Sequence, residues 1–504
     1  MADVLITHSY HLPYDRKQMR KMQPYPPLGT LYAAAVLRQG GASVAVFDPM
    51  LAEPLSGFRE ALERHRPVLV AIYEDDFNFL TKMCLTRMRH LAWEMIAEAK
   101  RFGTRVVAHG SDASDHADEY LQHGSEWVLL GESEFKLLEL FRQISVGRES
   151  ADGIPGVISR WSNRVNAIEI GRKPAVVRRS SAFPLPARDL IDLTAYRNAW
   201  KAAHGMFSLN LVASRGCPYH CNWCAKPIFG DTYWSRDPAD VASEMAELHR
   251  EYQAEHLWFA DDIFAINPHW IELFAREVRD RNCAIPYKIQ ARADRLTAAT
   301  AAALKRSGCA EVWMGVESGS QTVLDAMEKD LRIDEIVGAR ENLRQQQIRA
   351  CYFLQFGYPG ESWGDLQKTI ALVRDTKPDD IGISFSYPLP TTRFYERVRE
   401  QLGEKQNWSD SEDLCVMFQG AYSDNFYRVV RDALHAEVEE LNGRAGPAGP
   451  TSRELWKQVA LLEPMSRNEN PTALDSKSHS RAPVVPSRQP FIPLGDVSGR
   501  NRVT

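Results

Sequence analysis

Short apolar runs recur along the first 150 positions, and each is followed by a stretch with helical spacing. Val4–Thr7, Ser43–Phe47, Val68–Tyr73, Arg105–Ala108 and Trp127–Leu130 read as strands. Gly29–Gln39, Phe58–Arg64, Leu85–Arg101, Ala117–His123 and Glu134–Ile144 read as helices. Five apolar strands separated by helices predict an α/β, doubly wound parallel sheet over residues 1–150. Ligands on such sheets sit at the carboxyl ends of the strands. Those ends carry Thr7-His8, Tyr73-Glu74-Asp75-Asp76, His109-Gly110-Ser111 and Gly131-Glu132.

A second alternation begins near Ser208. Ser208–Ala213, His256–Ala260, Tyr287–Ala291, Glu311–Val316, Ala350–Phe356 and Asp380–Tyr387 read as strands, with helical stretches such as Pro238–Tyr252 and Ala298–Arg306 between them. Six consecutive strand–helix units predict a partial (β/α)6 barrel over 206–400, with its function at the carboxyl-end face. Residues 151–205, with turn signals at Gly153-Ile154-Pro155-Gly156 and Phe183-Pro184-Leu185-Pro186, read as a connector. Residues 401–465 read as a mainly helical C-terminal region. Ser, Pro and Arg dominate from 466 to 504, which predicts a disordered tail.

The chain has 504 residues, 44% apolar and 25% charged, enough to bury a large core without disulfides. Sixty-one basic against 66 acidic residues give a net charge of -5, which offers no electrostatic case for nucleic acid or an anionic membrane. No apolar run approaches the ~20 residues of a membrane span. Asp3 and His8 precede Lys17, Arg20 and Lys21, the reverse of a secretory signal, so a cytoplasmic location is expected.

Three of the eight cysteines stand together. Cys217-Pro-Tyr-His-Cys221-Asn-Trp-Cys224 follows directly on the first barrel strand with the spacing C-x3-C-x2-C. Three thiolates on one short loop can bind three irons of a [4Fe–4S] cube and leave the fourth open to a small chelating molecule. A zinc knot is the alternative. It wants four ligands, no second C-x2-C exists, and His220 is awkwardly adjacent to Cys221. Cys283, Cys309 and Cys351 read as buried small hydrophobes.

Arg215-Gly216-Cys217-Pro218-Tyr219-His220-Cys221-Asn222-Trp223-Cys224 resembles the cluster loop of radical S-adenosylmethionine (SAM) enzymes. The resemblance implies that SAM chelates the open iron and that an external electron donor, such as flavodoxin or ferredoxin, reduces the cluster. One electron then cleaves SAM to methionine and a 5′-deoxyadenosyl radical. Further matches cover 208–400. They place Asp261 and Asp262, Arg292, and Glu317 with Ser318 of Gly315-Val316-Glu317-Ser318-Gly319 around SAM. Phe356-Gly357-Tyr358-Pro359-Gly360-Glu361 looks like the family's turn after the fifth strand. Thr391 stands where relatives have Gly. Asp261, Asp262 and Glu317 could instead be helix N-caps or solvated loop acids.

The first 150 residues resemble the cobalamin-binding domain of one radical SAM class, carried by Pro26-Pro27-Leu28-Gly29, Ala45-Val46-Phe47-Asp48 and Val128-Leu129-Leu130-Gly131-Glu132-Ser133-Glu134. This implies cobalamin near Thr7, Glu74, His109, Gly110, Gly131 and Glu132. A domain kept for packing or substrate recognition is the alternative. His8, His11 and His116 have no ligand spacing and read as surface or supporting groups.

The resemblance implies a cobalamin-dependent methyltransferase acting on an unactivated carbon of a small molecule. A radical cyclase, oxidase or rearrangement enzyme, with cobalamin absent or not carrying a methyl group, is the second reading. A non-catalytic metal-binding protein that docks a partner through 401–465 is the third.

Overall fold

Each apolar run expected as a strand in the first half of the chain forms one; the runs are buried and bounded by turn residues, except that the edge strand at Val44–Phe47 is mostly half-buried. The computed structural model describes residues 2–78, 86–148, 151, 153–161, 183–264, 266–403, 416–444, 449–469 and 471–473, which belong to one compact unit. Cys84, Trp408, Cys415, Phe491 and Ile492 lie outside the described residues, as does the tail from 474 onward.

Strands β1 (Val4–Thr7), β2 (Val44–Phe47), β3 (Leu69–Tyr73), β4 (Arg105–His109) and β5 (Trp127–Leu129) run parallel in the order β2-β1-β3-β4-β5. β6 (Val157–Ser159) adds an antiparallel edge to β5, which the connector reading did not anticipate. Helices Leu28–Gln39 and Glu134–Ser145 cover one face through Val36, Leu37, Leu137 and Leu140. Helices Pro54–His65 and Thr86–Arg101 cover the other through Phe58, Leu62, Leu91 and Ile96. Burial on both sides explains the near-continuous apolar runs. β1 lies between β2 and β3, so the chain's winding reverses there, and the strand-end crest beside it is the expected ligand position.

The second sheet orders β14 (Asp380–Phe385), β13 (Arg349–Phe356), β12 (Cys309–Glu317), β11 (Tyr287–Ala291), β10 (His256–Phe259) and β7 (Ser208–Leu211), all parallel. β7 and β14 are its edges, so the barrel is partial. Leu257, Ile289, Val312 and Leu354 are fully buried in the large apolar core. The alternate positions Trp258, Lys288, Trp313 and Phe353 are only half-buried and form the opposite, inner face. A short antiparallel pair, β8 (Ser214–Arg215) with β9 (Trp234–Ser235), closes the base of the cysteine loop.

The connector is more structured than its turn signals suggest. Helix Thr194–His204 buries Tyr196 and Trp200. The Tyr196 hydroxyl donates to Asp48 at 2.6 Å, and the Trp200 indole N–H donates to the Pro24 carbonyl at 2.6 Å. Helices Asp424–Leu441 and Ser452–Leu462 form the C-terminal region, with Tyr427 against Phe385 of β14. Ser466 and Asn468, where the tail was expected to begin, still bond to the 420–423 segment, and Thr472 bonds to Gln419.

Candidate active site

The cysteine loop leaves β8 through Gly216, at φ 78, where a Cβ would lie 2.1 Å from the Thr232 carbonyl oxygen. Only glycine tolerates both conditions. Cys217, Cys221 and Cys224 follow as half-buried thiols that form no disulfide among the described residues. Several barrel elements brace the loop between them. Lys226 donates to the carbonyls of Cys217 and Tyr219. The Asn222 amide side chain donates to the Ala326 carbonyl at 2.8 Å, and its backbone N–H donates to Met327 at 3.1 Å. Tyr358, after β13, donates its hydroxyl to the Asn222 side chain at 3.0 Å, and the Phe394 N–H donates to the Asn222 carbonyl at 3.0 Å. Burial raises the Cys217 pKa, and the neighbouring charges of Asp262 and Cys221 add to the rise. A metal held at this thiol would have to displace its proton, which coordination does readily.

His220 is exposed and faces Asp231 at 3.6 Å. Among the described residues no three His, Cys, Asp or Glu side chains are grouped to hold a metal ion. A zinc knot needs its ligands to converge on one point. A cube takes one thiolate at each of three separate irons, the number that the loop carries.

The expected SAM residues occupy successive strand ends, and most are bonded to the protein. Asp261, after β10, accepts the Ala213 N–H at 3.0 Å and the Ser214 hydroxyl. It ties the β7–β8 turn and caps no helix, and burial pushes its pKa up to about 7. Asp262 is half-buried and electrostatically close to Cys217. Arg292, after β11, donates to Asp294 at 2.9 Å and to the carbonyls of Lys329 and Asp330 at 2.8 and 2.7 Å. Its guanidinium lies 3.9 Å from the Tyr219 ring centroid, so it supports the cluster loop from below.

Glu317 ends β12 at a bulge with φ 63 and is paired with Lys329 at 2.7 Å. Such a backbone costs a non-glycine residue about 1–3 kcal/mol and persists where the surroundings enforce it. Gly315 leaves the room: a Cβ there would lie 2.9 Å from both Glu317 Oε1 and Lys329 Nζ. Ser318 is fully buried against the Thr369 hydroxyl at 3.2 Å. Thr391, in glycine's place, adopts φ 70.

Sequence reading missed several groups here. Lys329 is one. Gln355 and Ser386 are others, buried at the ends of β13 and β14, with Gln355 Oε1 and Ser386 Oγ lacking any partner among the described residues. Trp223 Nε1, inside the cluster loop, is orphaned in the same way. Unsatisfied buried polar atoms cost about 1–3 kcal/mol each, and several around one strand-end face mark a place for a polar ligand. Strand alternation could have placed Gln355 on the inner face; nothing local flags Lys329.

Glu361 closes the turn after β13. It is fully buried, accepts the Gly357 N–H at 2.7 Å, and has its pKa pushed up to about 8 by burial, with the Asp365 charge adding. The folded chain thus holds a proton that the unfolded chain releases. Stability contributed here is present at low pH and falls as pH rises from about 5 to about 8. Glu361→Gln keeps the acceptor and removes the charge. Its urea midpoint is expected to fall less between pH 5.5 and 8 than that of the parent protein.

The N-terminal crest is closely paired. The Thr7 hydroxyl donates to the His8 carbonyl, and His8 Nε2 meets Asp48 at 3.0 Å. His8 and His11 are buried rather than on the surface. Glu74 accepts the Ser9 N–H at 2.9 Å and packs against Gly110 (φ 141), where a Cβ would lie 2.8 Å away. Asp75 accepts the Gly29 N–H at 2.8 Å, and His109 Nε2 bonds Asp76 at 2.9 Å. Gly131 turns the chain at φ 66 after β5. Glu132 and Glu134 then clasp Arg215 of β8 at 2.6 and 2.5 Å. That guanidinium is buried, with the Phe183 ring 3.9 Å away. Burial raises the Glu132 pKa, Arg215 pulls it down, and the Glu134 charge raises it again. Arg215 stands two residues before Cys217, so this clasp joins the crest of the first sheet directly to the cluster loop.

Residues 211–373 match the family model of the radical SAM superfamily. These residues form a radical SAM domain, and the protein is an enzyme; the superfamily to which that domain belongs uses a [4Fe–4S] cluster and SAM. An uncharacterized methyltransferase of Pyrococcus horikoshii is 25% identical over 392 residues, 76% of this chain and 81% of that one. An anaerobic magnesium-protoporphyrin IX monomethyl ester cyclase of Rubrivivax gelatinosus is 24% identical over 403 residues, 77% of this chain and 68% of that one. The fold is shared with TsrM, a radical SAM methyltransferase of Kitasatospora setae solved with cobalamin and a [4Fe–4S] cluster (TM-score 0.64, 20% identity, 81% of this chain and 76% of that one). It is also shared with OxsB, a cobalamin-dependent SAM radical enzyme (TM-score 0.67, 14% identity, 92% and 71%). No helix among the described residues is long and apolar enough to cross a membrane.

Proposed function

We propose that this protein is a cobalamin-dependent radical SAM methyltransferase that alkylates a carbon of a small molecule. The observation that carries the reading is the cysteine loop, braced at the barrel's strand ends and clasped through Arg215 to the crest of a doubly wound domain. The methyltransferase relative and the fold shared with two cobalamin enzymes support it. Cys217, Cys221 and Cys224 would hold the cluster. Gln355 Oε1 and Ser386 Oγ lack the partners that SAM's amino and hydroxyl groups provide. Bound together, the cluster and SAM supply a carbon-centred radical able to take hydrogen from an unactivated carbon. An external one-electron donor such as flavodoxin or ferredoxin is required.

Cobalamin would lie on the crest and supply the methyl group. Glu134 Oε2 is buried there without a partner, and an amide N–H of a corrin side chain is the donor it lacks. The chain's own contribution is positional. Arg292 and Asn222 fix the loop that carries the thiols, and the Glu132–Arg215–Glu134 clasp fixes that loop against the crest.

The cyclase relative favours a second reading, in which the radical closes or oxidises the substrate without methyl transfer. Protein purified without oxygen and reconstituted with iron, sulfide and hydroxocobalamin is expected to hold cobalamin through gel filtration and, with reductant, to release deoxyadenosine from SAM. A product heavier by one methylene unit supports methyl transfer, and an unchanged or lighter product supports the second reading. Absence of deoxyadenosine from a preparation with full iron content would overturn both.

A further inference from the structure

We infer that the inner face of the barrel binds an aromatic acid: its carboxylate pairs with Lys288 and its ring lies against Trp258 and Trp313. This rests on the barrel being the reaction chamber, as proposed above, and names the substrate class it takes.

The register sets the groups side by side. Trp258 of β10 pairs with Lys288 of β11, and Gln290 of β11 pairs with Trp313 of β12. The inner face of a closed β/α barrel is usually filled by branched aliphatic side chains. Here it carries two tryptophans, a phenylalanine, a lysine and a glutamine, all half-buried. Trp313 stacks on Phe353 with ring centroids 4.7 Å apart and planes 27° apart. Both lie over Gly382 of β14, where an added Cβ would sit 3.4 and 3.3 Å from their rings. The stack therefore rests on bare backbone, and the rings present flat apolar area to the chamber.

Lys288 is the second observation. Its ammonium donates to Gln23 Oε1 at 3.2 Å and stands 5.6 and 5.3 Å from the ring centroids of Trp258 and Tyr25. No carboxylate of the described residues lies within ion-pair distance of it. Glu311, its register partner, gives one oxygen to the Trp313 indole N–H at 2.7 Å and the other to Arg349 at 2.8 Å. Burial pushes Lys288 down to about 8. A half-enclosed cation with only a neutral hydrogen-bond partner gains most from an anion. A carboxylate beside two indoles combines the charge-assisted bond with ring stacking.

The test uses the full chain, reconstituted with its cluster, and equilibrium dialysis against 2-naphthoate, 2-naphthamide and cyclohexanecarboxylate. Naphthoate is expected to bind about tenfold or more tighter than either, the margin of one charge-assisted bond or one aromatic contact. Lys288→Gln should erase the preference for naphthoate over naphthamide without weakening naphthamide, and Lys288→Arg should keep it. Trp313→Ala should weaken both aromatic probes and leave their ratio alone. Equal binding of naphthoate and naphthamide, no naphthoate binding, or a preference that survives in Lys288→Gln would overturn the inference. Deoxyadenosine release on the same preparation separates the two readings. A Lys288-dependent preference without deoxyadenosine upholds the aromatic-acid site and defeats the radical chemistry. Deoxyadenosine without the preference does the reverse.

Discussion

Cys221→Ala protein should emerge from anaerobic reconstitution with its iron and sulfide lost and with no deoxyadenosine formed from SAM. The same outcome is expected at Cys217 and Cys224. The loop offers three thiolates for three irons, and His220, the one other soft ligand on it, points to Asp231. Losing one thiolate leaves two corners of the cube unheld by protein. The other described cysteines are no substitute. Cys283, Cys309 and Cys351 are each no more than 3% exposed, and burial raises the pKa of all three. Alanine at Cys351 should leave the iron content unchanged, which makes it the matched control. Deoxyadenosine release should fall at least about a hundredfold in each loop variant, because the cluster that relays the donor's electron also offers SAM the open iron. Iron retained at parental level in any of the three would remove the cluster loop from the mechanism.

Arg215→Ala should be the most destabilising single substitution in the clasp. It leaves the carboxylates of Glu132 and Glu134, 8% and 1% exposed, without their cation. Breaking a buried pair in this way costs about 3–5 kcal/mol, more than the pair itself contributes, because an uncompensated charge remains inside. The loss also uncovers the Phe183 ring, 3.9 Å from the guanidinium. The combined variant Arg215→Met, Glu132→Gln, Glu134→Gln removes all three charges and should recover most of the lost urea midpoint. Arg215→Lys should fall between: one guanidinium nitrogen, Nη1, now donates to both carboxylates, and lysine has a shorter reach to that point and stacks less well on a ring. A midpoint in Arg215→Ala equal to the parent's would show that the clasp carries no stability.

Most of the framework was readable because its strands are apolar runs between turn residues. β1 and β11 occupy the residues expected, Val4–Thr7 and Tyr287–Ala291. β6, β8 and β9 escaped notice because two or three residues carry no period. Helix Thr194–His204 hid in the connector because only Tyr196 and Trp200 face the core. The thiols were readable from spacing alone. The roles of Asp261 and Arg292 were not, because their partners are set by folding: the Ala213 N–H, the Ser214 hydroxyl, and carbonyls nearly forty positions along the chain. In the sequence Arg215 stands out only as part of a motif, since the carboxylates that hold it lie 83 and 81 residues earlier.

The segment Gln23–Pro26 has a consequence for how this molecule is made. The Tyr25 hydroxyl bonds Ser208 of β7, the Pro26 carbonyl accepts from Asn210 of the same edge strand, and Gln23 reaches Lys288. Tyr25 and its barrel partner are separated by 183 positions. During synthesis that peptide emerges well before the barrel strands it pairs with, so these contacts can form only after the strands arrive. A segment that joins the barrel edge from so far upstream adds non-local contacts, the kind that slow the completion of a fold.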